Sequence, residues 1–259
     1  AQPLFFAAIL MIFSLLTWQQ GRIYKDNLTL FSDTIDKNPA SWFAYSNRAV
    51  YYAQAGKDDL AMADLERSLA IRPDEADALH TRGVIHLKQK KFESAFADFD
   101  RSIAIRPWRT DYLKNRCQAY RYVGQPDKAL ADAGRIIAAE PYDARNYLLR
   151  ASIFALQEEF AKALDDLNRG LMLDPEDFQL YSNRGLVYYR QRLLPEAVKD
   201  FDTALRLRPD SAETYFNRGL AHAASGAVVQ SRSDLMRARE LGYQLADAEI
   251  ERILYDRGR

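Results

Sequence analysis

The chain has 259 residues, 48% of them hydrophobic and 28% charged, with 11 glycines and 9 prolines. That balance excludes a disordered or low-complexity protein and fits an ordered, helix-rich one. The 36 basic and 36 acidic residues cancel, so no whole-molecule field points to nucleic acid or an acidic surface as partner. One cysteine, Cys117, excludes an internal disulfide framework, a thiolate zinc cluster and a CxxC redox pair.

The first segment, AQPLFFAAILMIFSLLTWQQ (residues 1–20), carries no charge, and a helix of that length reaches about 30 Å, the thickness of a bilayer core. It is read as an N-terminal transmembrane helix with residues 3–18 in the membrane, Trp18 at the interface and Arg22 and Lys25 beyond it in water. The expected localisation is therefore a single-pass membrane protein. A signal remnant or a hydrophobic docking helix is the alternative. A signal peptide would show a basic start and a small-residue cleavage site, and a docking helix a polar stripe, whereas only Ser14 and Thr17 interrupt this run. The chain begins without methionine, which fits a processed product or the C-terminal piece of a longer membrane protein.

Residues 21–39 read as a juxtamembrane helix ending at Pro39, with Leu30, Phe31 and Ile35 as its apolar positions. Beyond it a period of 34 residues dominates the chain. Prolines recur at Pro39, Pro73, Pro107, Pro141, Pro175 and Pro209. Small residues recur at Ala49, Gly83, Cys117, Ala151, Gly185 and Gly219, and again at Ala61, Ala95, Ala129, Ala163, Ala197 and Ser231. A large apolar column holds Tyr45, Leu79, Leu113, Tyr147, Tyr181 and Tyr215.

Each repeat reads as two helices. The first runs to a loop near Gly56, Gly124 or Gly226, and the second is stopped by the proline. The small columns mark where paired helices must approach closely. This pattern of a large apolar residue, a small residue, an aromatic, an alanine and a proline in 34 residues resembles the tetratricopeptide repeat. The resemblance implies an all-α fold, a right-handed α-solenoid of six helix-turn-helix repeats over residues 40–243, followed by a capping helix and tail at 244–259. In that helix Ala246, Ile250, Ile253 and Leu254 are expected to face the array, and Glu249 and Glu251 the water. The junction TWQQGRIYKDNLTLFSDTIDKNP is also similar to the segment preceding the repeats in polytopic transmembrane-and-tetratricopeptide-repeat proteins, some of them glycosyltransferase-like. That similarity implies repeats outside the cytoplasm.

Two charged columns share the period. Arginines stand at Arg48, Arg82, Arg116, Arg150, Arg184 and Arg218, continuing to Arg252, and aspartates at Asp64, Asp98, Asp132, Asp166, Asp200 and Asp234. A structural ladder of ion pairs follows. Counting from the ends favours pairs between repeats, from Asp64 with Arg82 to Asp234 with Arg252, and leaves Arg48 unmatched.

No HExxH, phosphate-cradling glycine loop, GxSxG or metal-spaced cluster occurs, so neither an enzyme nor a cofactor, metal or small-molecule substrate is expected. The resemblance implies protein or peptide partners held along a concave face built from the first helices. The groove positions expected there are His80, Lys88, Lys114, Gln118, Arg121, Tyr122, Arg145, Tyr189 and Arg190, together with Phe43, Ser46, Ser152 and Phe216. The cations among them would favour a carboxylate ligand. The family's chaperone-tail clamp is not reproduced. Asn47, Asn115, Asn183 and Asn217 match its asparagines, but Phe43, Asp111, Gln179 and Glu213 occupy its basic position. The function expected is a noncatalytic membrane-anchored scaffold, such as an accessory or assembly subunit of a membrane complex. The alternative is the C-terminal repeat domain of a larger polytopic glycosyltransferase-like enzyme.

Overall fold

The computed structural model describes residue 21 and residues 26–257, and the helices of that stretch are 11 to 14 residues long. At 1.5 Å per residue the longest spans about 21 Å. Among the described residues no helix is long and apolar enough to cross a membrane. This corrects the single-pass membrane reading and the transmembrane part of the expected fold. The segment 1–20 itself lies outside the described residues.

The chain divides into two compact units, Ala1–Arg116 and Cys117–Arg259. The N-terminal unit contains α1 (Asn27–Lys37), α2 (Trp42–Gln54), α3 (Asp58–Ile71), α4 (Ala76–Lys88) and α5 (Phe92–Ile105). Helix α6 (Thr110–Tyr122) includes the unit boundary. The C-terminal unit continues with α7 (Pro126–Ala139), α8 (Ala144–Leu156), α9 (Phe160–Leu173), α10 (Phe178–Arg190), α11 (Leu194–Leu207), α12 (Ala212–Ala224), α13 (Val228–Glu240) and α14 (Asp247–Arg257). In each unit the helices pack as antiparallel pairs, α2 on α3 and α4 on α5 in the first, α8 on α9, α10 on α11 and α12 on α13 in the second. Within the units α3 also packs on α4, α7 on α8, α9 on α10 and α11 on α12, and α2 touches α4, α8 touches α10 and α10 touches α12, so these first helices share one face. Helix α1 packs on α2.

Helix ends follow local chemistry. Ser41, Glu75, Asp143, Asp177 and Ser211 cap the first helices by accepting from a backbone N–H two or three residues on. The residue before each repeat proline, such as Arg72 or Asp174, leaves the helical region at the C-cap because the proline ring excludes it. The turn inside each pair needs a left-handed residue. Gly56, Gly124 and Gly226 supply it at φ of 71° to 79°, and Lys90, Glu158 and Arg192 adopt it at 59° to 64°, against a steric cost of about 1–2 kcal/mol each.

The alanine column is fully buried, with Ala61, Ala95, Ala129, Ala163, Ala197 and Ser231 all at 0% exposure. Side-chain size is matched across four pairs, while in a fifth Gly219 faces Leu235, whose side chain a Cβ would meet at 3.0 Å. A Cβ on Gly83 would stand 2.9 Å from Phe99 and one on Gly185 2.8 Å from Phe201. In the repeats that carry Leu65 and Leu167 at the phenylalanine position, the facing residues are Ala49 and Ala151. Cys117 stands in the same column where the second helix offers only Ala133.

The ion-pair ladder runs within repeats, which overturns the expected pairing. Arg48 with Asp64, Arg82 with Asp98, Arg150 with Asp166, Arg184 with Asp200 and Arg218 with Asp234 each make two hydrogen bonds, from Nε and Nη2, of 2.6 to 2.9 Å. The reason is the hairpin: Arg48 lies eight residues before Gly56 and Asp64 eight after it, so antiparallel helices bring them face to face. The remaining nitrogen reaches back to the preceding second helix, from Arg48 to Ser32, Arg184 to Asn168 and Arg218 to Asp202. Arg116 reaches Asp100 in the same way at 2.5 Å. Contacts between repeats therefore exist, but through a column two residues beyond the aspartates. Arg48 is fully engaged, and Arg252 is exposed while Asp234 bonds Arg218. The aspartates are buried and most of the arginines lie over aromatic rings, Arg48 over Tyr45 and Tyr52 and Arg218 over Tyr215.

At the C-terminus Ile250 and Leu254 pack against Leu235 and Leu245, whereas Ala246 is exposed and Glu251 pairs with Arg232. Leu245, in the loop before the helix, does the packing expected of Ala246.

The size matching gives a direct test. Gly83→Ala is expected to lower stability by about 1–3 kcal/mol through overpacking, and adding Phe99→Leu, which recreates the Ala49 and Leu65 arrangement, is expected to restore most of it in chemical unfolding.

Candidate binding clefts on the first-helix face

The first helices line a cleft in each unit. In the N-terminal unit a cleft of about 430 Å³ is bounded by Trp42, Phe43 and Val50 of α2, His80 of α4 and Arg106, Arg109 and Tyr112 near the start of α6. Its charges are mutually engaged. Asp77 accepts from Arg106 at 2.5 Å and from the Tyr112 hydroxyl at 2.5 Å, and Arg109 forks onto Asp111 at 2.8 and 2.6 Å. His80 stacks on Tyr112 with centroids 4.4 Å apart, and Arg72 covers Trp42 at 4.4 Å. Phe43 remains 55% exposed, edge-on to Trp42 and Phe31.

Beneath this cleft lies Glu75, 2% exposed, whose Oε2 has no hydrogen-bond partner. Arg72 and Arg106 approach its carboxylate only to 3.8 and 3.6 Å. Burial pushes the Glu75 pKa up, against the backbone and arginine contacts that pull it down. Burial likewise pushes His80 down.

In the C-terminal unit a smaller cleft of about 170 Å³ is lined by Arg121, Ala151, Ser152, Ala155, Leu156, Leu186, Val187 and Arg190, with Leu167 as part of its floor. Leu156 is 63% exposed. Arg190 donates to the Ala155 carbonyl at 2.5 Å and to Glu158 at 3.2 Å. Arg121 is half-buried, and its Nε is buried without an acceptor.

The expected groove residues thus fall into separate places. His80 lines the N-terminal cleft. Lys88 pairs with Asp58 at 3.3 Å beside it, and Lys114 is half-buried in the same unit. Arg121 and Arg190 line the C-terminal cleft. Arg145 is turned onto its neighbour Asp143 through two 3.0 Å bonds. Gln118 and Tyr122 are exposed, and Tyr189 packs against the Ala197 and Phe201 cluster. Three of the four asparagines are occupied: Asn47 and Asn183 donate to carbonyls one turn back, and Asn115 bonds His80. Phe216 stacks on Tyr243 at 4.4 Å.

Sequence reasoning missed Glu75, Asp77, Arg106, Arg109 and Tyr112. The signal lay in the capping column, where Ser41, Asp143, Asp177 and Ser211 are ordinary caps, Glu75 is an unusually long one and Arg109 has the wrong charge.

Profiles described as tetratricopeptide repeat match residues 15–76, 116–178 and 182–242, and others of that description match 149–211 and 76–107. The chain belongs to the tetratricopeptide repeat family. No curated protein matches it. Solved structures share its fold at low identity. PilF of Pseudomonas aeruginosa is 15% identical, with TM-score 0.68 over 85% of this chain and 99% of that one. A tetratricopeptide repeat protein of Parabacteroides merdae is 18% identical, with TM-score 0.67 over 96% and 97%. YrrB, described as a repeat protein with an unusual peptide-binding site, is 18% identical, with TM-score 0.60 over 71% and 95%.

The buried carboxylate makes a prediction with a sign. A glutamate whose folded pKa is raised contributes stability that is present below its unfolded pKa and lost as pH rises through the folded one. Glu75→Gln is therefore expected to raise the denaturant midpoint at neutral pH, and the difference from wild type to shrink as pH falls toward the ordinary glutamate pKa. A variant less stable than wild type at neutral pH would contradict it.

Proposed function

We propose that this tetratricopeptide repeat protein is a noncatalytic interaction scaffold that holds extended peptide segments of its partners against its first-helix faces, and that it serves as an accessory or assembly subunit of a larger complex. The observation that carries this reading is the N-terminal cleft. Its charged groups are largely spent on one another, while aromatic surface at Phe43 stays open. Such a surface favours apolar side chains, since an arriving charge would have to displace an existing pair. The fold likeness to YrrB, described as having a peptide-binding site, agrees with this use of the repeat face.

The test is a random-sequence peptide array probed with the purified protein and with Phe43→Asp. Because Phe43 is exposed, the variant is expected to fold normally and to lose roughly tenfold or more in affinity for peptides carrying large apolar residues. Binding of those peptides unchanged by the substitution would overturn the assignment of the cleft.

A further inference from the structure

We propose that the second-helix flank of the C-terminal unit docks an acidic side chain of a partner protein, whose carboxylate binds Arg150 from the place, left open at Gly134, that an acceptor side chain fills in the other repeats. This surface is distinct from the first-helix faces of the scaffold reading, and the inference does not depend on that reading.

The ladder carries the argument. The residue 16 positions before each arginine stands on the preceding second helix, and this column reads Ser32, Glu66, Asp100, Gly134, Asn168 and Asp202. Five of the six bear an oxygen acceptor. Ser32 accepts from Arg48 at 3.2 Å, Asn168 from Arg184 at 2.7 Å and Asp202 from Arg218 at 2.6 Å, all from Nη1, and Asp100 serves Arg116 in the same way. Glu66 acts on Arg82 through its charge. Gly134, in α7, has no side chain to offer Arg150.

Arg150 spends Nε and Nη2 on Asp166, and its Nη1 has no partner among the described residues. Its side chain is 29% exposed, against 13% to 23% for Arg48, Arg82, Arg116, Arg184 and Arg218. The space is free, since a Cβ on Gly134 would meet nothing within 4 Å. A second cation stands in register. Glu66, Arg82 and Arg101 line one cleft of about 270 Å³, and two repeats on the same positions hold Gly134, Arg150 and Arg169. Arg169 is exposed and makes no hydrogen bond or ion pair among the described residues. Two arginines without the acid that accompanies them at Glu66 call for an oxyanion. The charged residues of the column, Glu66, Asp100 and Asp202, show that the oxyanion this position accommodates is a side-chain carboxylate.

The test is an NMR titration of the full chain, following the Arg150 Nε–H and the backbone N–H of residue 134. The probe is acetyl-Gly-Glu-Glu-Gly-amide, blocked at both ends, with acetyl-Gly-Gln-Gln-Gly-amide and inorganic phosphate as comparators. The proposal expects saturable shifts with the glutamate peptide, at least about tenfold weaker binding of the glutamine peptide, which lacks the charge, and weaker binding of phosphate. Gly134→Asp supplies the missing acceptor from within and should weaken the glutamate peptide about tenfold. Gly134→Ala adds a side chain without an acceptor and should bind like wild type. No saturable shift, equal binding of the glutamine peptide, tighter binding of phosphate, undiminished binding by Gly134→Asp, or equal loss in Gly134→Ala would overturn it.

Discussion

The bidentate pair between an arginine on the first helix and an aspartate on the second sets the geometry of every repeat in which it is formed. Both partners stand eight residues from the turn, as Arg184 and Asp200 do about Arg192, so the pair can close only when the hairpin is in register. Burying two charges brings little net stability, because desolvation offsets their attraction; leaving one of them alone costs about 3–5 kcal/mol. The pair therefore acts chiefly against wrong registers. The third guanidinium nitrogen extends the constraint to the preceding second helix at Ser32, Asn168 and Asp202. Aromatic faces from the Tyr45 and Tyr52 columns shield the cation while leaving its fork free.

Close packing builds on that register. Gly83 and Gly185 exist because Phe99 and Phe201 need the space, and Ala49 and Ala151 suffice opposite Leu65 and Leu167. With the arginine columns largely consumed internally, ligand chemistry falls mostly to side chains off the column. Among the described residues lining the two clefts, Arg121 and Glu75 each have a polar atom buried without a partner. They differ in sign and lie in different units, so the chain offers two chemically distinct surfaces.

Much of this was legible in the residues. Period alone gave the helix pairs, the buried alanine column and the proline stops, because backbone rules act locally and repeat by repeat. The ladder was recognised but paired wrongly, since counting from the ends ignored the hairpin symmetry about Gly56 and its equivalents. The membrane reading rested on an apolar run at residues 1–20, and among the described residues no helix is long and apolar enough to cross a membrane. The N-terminal cleft escaped notice because Glu75 and Asp77 stand at one helix start and Tyr112 at another far along the sequence, and only Glu75 and Arg109 broke a column pattern. Arg121 was noticed as a cation, but its lack of a partner is a property of three dimensions.

The in-register pair is tested most directly by charge exchange at Asp166, measured by chemical unfolding. Asp166→Arg alone should be strongly destabilising. Combining it with Arg150→Asp, the partner across the same hairpin, should recover most of the loss, whereas combining it with Arg184→Asp of the next repeat should not. Recovery with Arg184→Asp and none with Arg150→Asp would contradict the account.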